Sequence, residues 1–383
     1  MLDFYEFFAG GGMVRAGLDG AKWRCRFAND FDLKKSAVYR RNWGGDALKT
    51  ADVSTLTTAD VKGEAALAWA SFPCQDLSLA GGGAGLKGDR SGTFWPFWRL
   101  MSELVKEGRA PRIVALENVC GTLTSHGGKD FAAICSAFEQ LGYRFGAVII
   151  DAALFVPQSR PRLFIVGVRH DIEIPAELTQ EAPSPMWHTK ALRTAYEGIP
   201  KKAQRSWVWW SLPTPDARKK LFAELIEEDP RDIAWHTSAE TEQLIAMMSE
   251  VNRAKLDAAK RSKQRMVGAI YKRTRLDEDG FKVQRAEIRF DDVAGCLRTP
   301  AGGSSRQLIL VVDGRAKVRS RLISGRETAR LMGLPDSYKL PENYNETYHL
   351  TGDGVVVPVV RFLAKNLFEV ILAQDEGEKR KAA

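Results

Sequence analysis

Apolar residues recur along the first half of the chain in two alternating textures. Short, nearly continuous runs at Leu2 to Phe8, Ala66 to Phe72, Arg112 to Leu116, Phe145 to Asp151 and Leu163 to Val168 predict buried strands. Between them, Met13 to Leu18, Phe97 to Lys106 and Asp130 to Leu141 repeat their apolar positions at helical spacing. Strands alternating with helices predict an α/β fold built on an open, largely parallel sheet. Such sheets take ligands beyond the carboxyl ends of their strands, so chemistry is sought just after each run.

After Val168 the pattern changes to irregular sequence rich in proline (Pro175, Pro183, Pro185, Pro200, Pro213, Pro215), then a long charged helix, then a basic, strand-like stretch. A second, smaller lobe over 181–317 is expected, flanked by a first lobe over 1–180, C-terminal helices over 318–376 that return to the first lobe, and a polar tail over 377–383. Thr237 and Glu240 form a capping box for one long helix, whose apolar stripe of Leu244, Met247, Met248 and Val251 ends at Lys260, Arg261 and Lys263. Thr328 to Leu334 and Val359 to Leu372 predict two further amphipathic helices, with a frayed end from Gln374. Trp207, Trp209 and Trp210 are expected in the core.

Composition narrows the class. The 383 residues are 44% hydrophobic and 27% charged, as in a globular protein. No run of 18 apolar residues occurs and Met1 to Glu6 lacks the marks of a leader, so a cytoplasmic protein without a membrane anchor is expected. Cys25, Cys74, Cys120, Cys135 and Cys296 are widely spaced and never form a C-x-x-C pair; free thiols and no metal site are expected. The net charge is +8, and residues 251–330 alone hold 20 Lys and Arg against 9 Asp and Glu. Either a polyanion partner or a solvated basic face satisfies that asymmetry.

Three strand ends carry candidate chemistry. The first run leads into Phe8-Ala9-Gly10-Gly11-Gly12, which lets backbone approach a nucleotide-like ligand closely. The G-x-G-x-x-G match at Gly83 to Gly88 follows polar residues rather than a strand and reads as a loop. Downstream, Asp30 stands where an acid in such folds reaches ribose hydroxyls, Phe31 beside it is suited to stack on a base, and Asp52-Val53 offers a carboxylate to an exocyclic amine. The second site is Phe72-Pro73-Cys74-Gln75, a thiol at the mouth of the sheet that a local positive field would activate. The third unites Glu117-Asn118-Val119 with Gln158-Ser159-Arg160-Pro161-Arg162, so that Cys, Glu and Arg converge on one cleft.

Taken with Gly352-Asp353-Gly354-Val355, these motifs resemble, in order and over nearly the whole chain, the cytosine-carbon-5 DNA methyltransferases of bacterial restriction-modification systems. The resemblance implies a class I S-adenosylmethionine-dependent methyltransferase fold, a Rossmann-like sheet with helices on both faces, plus a target-recognition lobe. It implies S-adenosylmethionine as cofactor, S-adenosylhomocysteine as product, double-stranded DNA as partner, pairing with a restriction endonuclease, and a monomer. Cys74 is implied as the nucleophile that adds to carbon 6 of a flipped cytosine, Glu117 as the acid at ring nitrogen 3, Arg160 as the holder of the ring carbonyl, and Arg162 as its support. Cofactor contacts fall on Phe8, Ala9, Gly10, Gly12, Asp30, Phe31, Asp52, Val53, Phe72, Pro73, Asp353 and Val355. DNA contacts fall on Gln75, Ser78, Lys87, Arg90, Arg298 and Arg306, with the loop from Ser78 to Thr93 closing over the flipped base. The chain departs from the family's usual Gly-Asn-Ser-Val at Asp353 and Gly354, has Glu6 where Asp is usual, and has Met13 where Gly is common. Rival expectations are an RNA cytosine methyltransferase, for which Cys120 would matter, and a catalytically silent DNA-binding relative.

Overall fold

The computed structural model describes residues 1–18, 20–73, 91–299 and 305–382, with the side chains of Ser91 and of 378–382 excepted. The chain divides into two compact units, one made of Met1–Asp151, Pro161–Pro215 and Val355–Ala383, the other of Ala152–Arg160 and Asp216–Gly354.

The first unit is built on seven strands, β1 (Leu2–Phe7), β2 (Trp23–Asp30), β3 (Leu48–Thr50), β4 (Leu67–Ala70), β5 (Ile113–Val119), β6 (Tyr143–Asp151) and β7 (Pro161–Arg169), in the order β3-β2-β1-β4-β5-β7-β6. The sheet is mixed rather than wholly parallel: β7 runs antiparallel to both β5 and β6. Both faces are covered, which is why the strands read as continuous apolar runs. Phe7 on one face meets Phe97 at 5.0 Å between ring centroids, and Trp69 meets Phe368 at 6.3 Å. Helices α1 (Met13–Gly17), α2 (Leu33–Trp43), α3 (Phe94–Lys106) and α4 (Lys129–Gln140) link the strands. Strand β2 alternates buried Trp23 and Phe27 with exposed Arg24 and Arg26, whose guanidiniums converge on Asp3 at 2.6 and 2.7 Å. That charged face hid it from a search for apolar runs.

Residues 181–215 fold with this unit. A short antiparallel pair, β8 (Thr179–Gln180) and β9 (Trp209–Trp210), lies beside β6, and Val208 donates to the Phe145 carbonyl at 2.7 Å. Trp210 is fully buried, and Trp207 packs edge-on to Phe145, so these tryptophans are packing residues. The C-terminal segment is helical over Val357–Leu363, underwound to a π-turn at Ala364–Phe368, and helical again over Glu369–Ala382. Within the last of these helices the buried Asp375 carboxylate takes a 2.8 Å ion pair from Arg112, just after the start of the expected polar tail.

The second unit contains a four-stranded antiparallel sheet, β11-β10-β12-β13, from β10 (Met266–Leu276), β11 (Lys282–Arg289), β12 (Leu308–Val312) and β13 (Val318–Leu322). Leu244, Met248, Leu256 and Ala259 pack against Ile270, Ile288, Leu308 and Leu310 to make its core. The single long helix expected after Thr237 is two: Ser238–Ala246, opened by the capping box, and Glu250–Arg261. Ser249 breaks the run with extended geometry (φ −67°, ψ 165°), and Val251, assigned to the apolar stripe, is 68% exposed.

Candidate functional site

The loop after β1 places Phe8 (φ 57°), Gly10 (φ 54°) and Gly12 (φ 79°) in the left-handed region, where only glycine is unstrained. Neighbouring strands hold it there. The Ala9 amide donates to the Asn29 carbonyl at 2.8 Å, and Trp43 Nε1 donates to the Gly11 carbonyl at 2.9 Å. A methyl group on Gly12 would stand 2.4 Å from Trp43 Nε1, so this glycine permits the packing, whereas the space off Gly10 is open for a ligand. Asn29, to which the sequence assigned nothing, donates its side-chain amide to the Lys49 and Ala51 carbonyls and fixes β2 to the segment that follows β3.

Asp30 is buried, and its two oxygens accept the amides of Gly10 at 2.7 Å and Asp32 at 2.8 Å. Burial raises its pKa while those amides oppose the rise. The carboxylate therefore shapes the glycine loop, and each oxygen keeps a lone pair for a further donor. Phe31 is 66% exposed, an apolar ring presented to solvent. Asp52 is exposed and caps a short turn through the Ser54 amide at 2.7 Å, while Val53 is buried. Glycine loop, Asp30-Phe31 and Asp52-Val53 thus follow the carboxyl ends of three adjacent parallel strands.

On the other side of β1, β4 is followed by Ser71, buried Phe72 and then Pro73. The strand stops earlier than its apolar run because the Phe72 carbonyl leaves the ladder and accepts from Asn118 Nδ2 at 3.2 Å. Asn118 also accepts the Val119 amide and the Thr122 hydroxyl, which fixes the amide's orientation. One residue earlier, buried Glu117 pairs with Arg162 at 3.2 Å. Strand register explains the contact: Glu117 lies opposite Phe164, and Arg162 is its diagonal neighbour on the same face. Cys120 is half-buried and burial pushes its thiol pKa up, the wrong direction for a nucleophile. Cys74, Gln75, Ser78, Lys87 and Arg90, with the Gly83 to Gly88 match, lie outside the described residues.

Arg160 belongs to the second unit, and its guanidinium has partners other than the expected cytosine carbonyl. It donates to the main-chain carbonyls of Leu297 at 3.0 Å and of Gly352 and Gly354 at 2.8 Å each, and it is 3% exposed. Both Nη atoms of Arg160 are thus engaged by backbone oxygens. Arg298 is exposed; Arg306 is partly buried, donates to Asn345 and lies over the Tyr344 ring. Asp353 is exposed at a helix end, and Val355, in the first unit, is buried. Among the described residues no group of His, Cys, Asp and Glu is placed to hold a metal ion, and no helix is long and apolar enough to cross a membrane.

Comparison with known proteins gives a consistent match. A family model described as C-5 cytosine-specific DNA methylase matches residues 2–369. The Type II methyltransferase M.HhaI of Haemophilus parahaemolyticus is 24% identical over 367 residues, covering 96% of this chain and 94% of that protein. M.HpaII of Haemophilus parainfluenzae is 24% identical over 384 residues, with 96% and 89% covered. Among solved structures, the Dnmt2 methyltransferase of S. pombe superposes with a TM-score of 0.59 at 17% identity, covering 97% of this chain and 99% of that one. A putative DNA modification methyltransferase from an E. coli prophage gives 0.56 at 18% identity, covering 97% and 100%.

Proposed function

The chain belongs to the C-5 cytosine-specific DNA methylase family, and from that premise we propose a DNA (cytosine-5-)-methyltransferase that works through Cys74, Glu117 and Arg162. The observation that carries the reading is the buried Glu117–Arg162 pair at 3.2 Å, one residue from the asparagine that holds the Phe72 carbonyl and hence the chain leading to Cys74.

The chemistry follows from what cytosine lacks. Carbon 5 is a weak nucleophile, and stacking in a duplex hides the ring, so the base is flipped out at a cost of a few kcal/mol. The Cys74 thiolate forms a bond to carbon 6, and electron density moves into the ring. Glu117 donates a proton or hydrogen bond at ring nitrogen 3 and accepts from the exocyclic amine. Arg162, oriented by Glu117, donates to the ring carbonyl, while Arg160 holds the backbone of Leu297, Gly352 and Gly354. Carbon 5 would then take the methyl group as the donor's sulfur–methyl bond breaks and its sulfur leaves as the neutral thioether; loss of the carbon 5 proton to a base and of the Cys74 thiolate from carbon 6 restores the ring.

The methyl donor of this family is S-adenosylmethionine, which supplies an electrophilic sulfonium methyl. The residues present fit it: the open space at Gly10, the exposed Phe31 ring and the Asp30 and Asp52 carboxylates follow adjacent strands. Phe8, Ala9, Gly12, Val53, Phe72 and Pro73 would form the wall around it, with Asp353 and Val355 contributing from the C-terminal part. Gln75, Ser78, Lys87, Arg90, Arg298 and Arg306 are proposed to meet duplex DNA, and the second unit is proposed to choose its sequence. Pairing with a restriction endonuclease, a monomeric state and a cytoplasmic location complete the reading.

Purified protein with labelled donor should mark DNA and not tRNA, and bisulfite sequencing after expression in an unmethylated host should map the target. Cys74→Ser should abolish labelling and trapping on 5-fluorocytosine DNA while retaining DNA binding. Label entering only RNA, or full activity in the serine variant, would overturn the assignment.

A further inference from the structure

The segment Ala294 to Thr299 carries the exposed Arg298, and its backbone is tied down at Ala294, Cys296 and Leu297. The Ala294 amide donates to the Pro157 carbonyl at 2.8 Å, and the Ala294 carbonyl accepts from the Ser159 amide at 2.9 Å. Tyr271 Oη donates to the Cys296 carbonyl at 2.8 Å, with its ring packed where a side chain on Gly295 would stand. The Leu297 amide donates to Gln158 Oε1 at 3.1 Å, and the Leu297 carbonyl accepts from Arg160 at 3.0 Å. Gln158 and Arg160 thus hold the two peptide units that flank Leu297, the second of which leads into Arg298.

The same Arg160 guanidinium donates to Gly352 and Gly354 at 2.8 Å. Gly352 lies against this segment directly, since a Cβ there would be 3.3 Å from the Thr299 methyl and 3.7 Å from the Arg298 carbonyl carbon. A planar fork with fixed donors can hold three carbonyls from two segments at once, whereas a lysine ammonium on a flexible stem cannot reproduce that spacing.

We propose that Arg160 is a positioning residue that clamps the Ala294–Thr299 segment against Gly352–Gly354 and thereby fixes where Arg298 is offered to duplex DNA, making Arg160 a determinant of sequence discrimination. The proposal rests on the methyltransferase reading. A buried polar network rigidifies the backbone it holds, and an arginine that reads a base edge loses discrimination when its backbone can shift.

The test uses the full chain and a duplex containing the target mapped by bisulfite sequencing, beside duplexes in which single flanking base pairs are changed. Wild-type, Arg160→Lys, Arg298→Ala and the double variant are compared for kcat, KM for DNA and the ratio of kcat/KM between target and altered duplexes. Arg160→Lys should raise KM for DNA and reduce discrimination at least tenfold with kcat within about threefold, and should add less than twofold in the Arg298→Ala background. A hundredfold fall in kcat with unchanged KM would make Arg160 a direct contact of the reacting base and overturn the proposal, as would multiplicative effects in the double variant or an Arg160→Lys enzyme equal to wild type. If Arg160→Lys does not fold by circular dichroism, Tyr271→Phe carries the same test, with the same coupling to Arg298 expected and its absence counting against the proposal. Failure of the wild-type protein to methylate any DNA would instead overturn the underlying reading.

Discussion

Replacing Glu6 by glutamine should make the protein more stable, and increasingly so as pH rises. Glu6 sits in the centre of the sheet on β1, fully buried, and burial pushes its carboxyl up to about 8. The Arg15 amide reaches Oε1 at a long 3.4 Å, and Oε2 has no partner among the described residues. In the unfolded chain the group titrates near 4.5. Between those values the folded state binds the extra proton, so stability falls as pH rises through the window and is unaffected below it. At about 1.4 kcal/mol per unit of pKa difference, the ionisable group costs about 3 kcal/mol at pH 7 and about 5 kcal/mol above pH 8. Glutamine has the same shape and nothing to titrate. Urea denaturation of wild type and Glu6→Gln at pH 5, 6, 7 and 8 should therefore show a stability gap that widens by about 3 to 4 kcal/mol across the series. A gap that stays constant over that range would mean that Glu6 is already ionised in the fold, and the reasoning would fail.

Gly12→Ala must place a methyl group 2.4 Å from Trp43 Nε1 at φ 79°, so calorimetric affinity for S-adenosylmethionine without DNA should drop at least tenfold; unchanged affinity would separate Gly12 from the cofactor loop. Asn118→Ala frees the Phe72 carbonyl before Cys74 and should lower kcat by about 10- to 100-fold while KM for S-adenosylmethionine stays put, since small misplacements of a reacting group cost that much. Arg321 and Glu327 form an ion pair fully buried at both ends, so Arg321→Met should cost about 3 to 5 kcal/mol in urea denaturation by stranding the carboxylate. The double variant with Glu327→Met should recover part of that loss.

The sequence was most legible where one physical requirement governed a segment. Strands buried on both faces announced themselves as apolar runs, and the glycine loop after β1 followed from the need for positive φ at Gly10 and Gly12. Legibility failed where two requirements competed. Strand β2 carries Arg24 and Arg26 on its exposed side to neutralise Asp3, and the apolar pattern dissolves. The helical stripe after Thr237 has good local period, yet Ser249 turns the chain and sends Val251 to solvent. Polar residues that hold backbone rather than substrate, such as Asn29 and Asn118, carry no distinguishing signal in one sequence, because their partners are carbonyls that every residue owns.

Arg160 and Arg162 show the limit most sharply. Two residues apart, they would share a face if both lay in one strand, and a motif reading treats them as near equivalents. The strand begins between them, at Pro161, which lacks an amide and suits a first strand position. Arg162 is thereby bound to the alternation of β7, diagonal to Glu117, while Arg160 is released from it and reaches the carbonyls of Leu297, Gly352 and Gly354. The proline thus separates a guanidinium paired with Glu117 from one that holds backbone carbonyls. Replacing Pro161 with a residue that extends the ladder by one position should weaken the clamp before it weakens the Glu117–Arg162 pair. Discrimination between DNA sequences should accordingly decline while covalent trapping of 5-fluorocytosine on saturating target DNA persists; loss of trapping first would reverse the assignment of the two arginines.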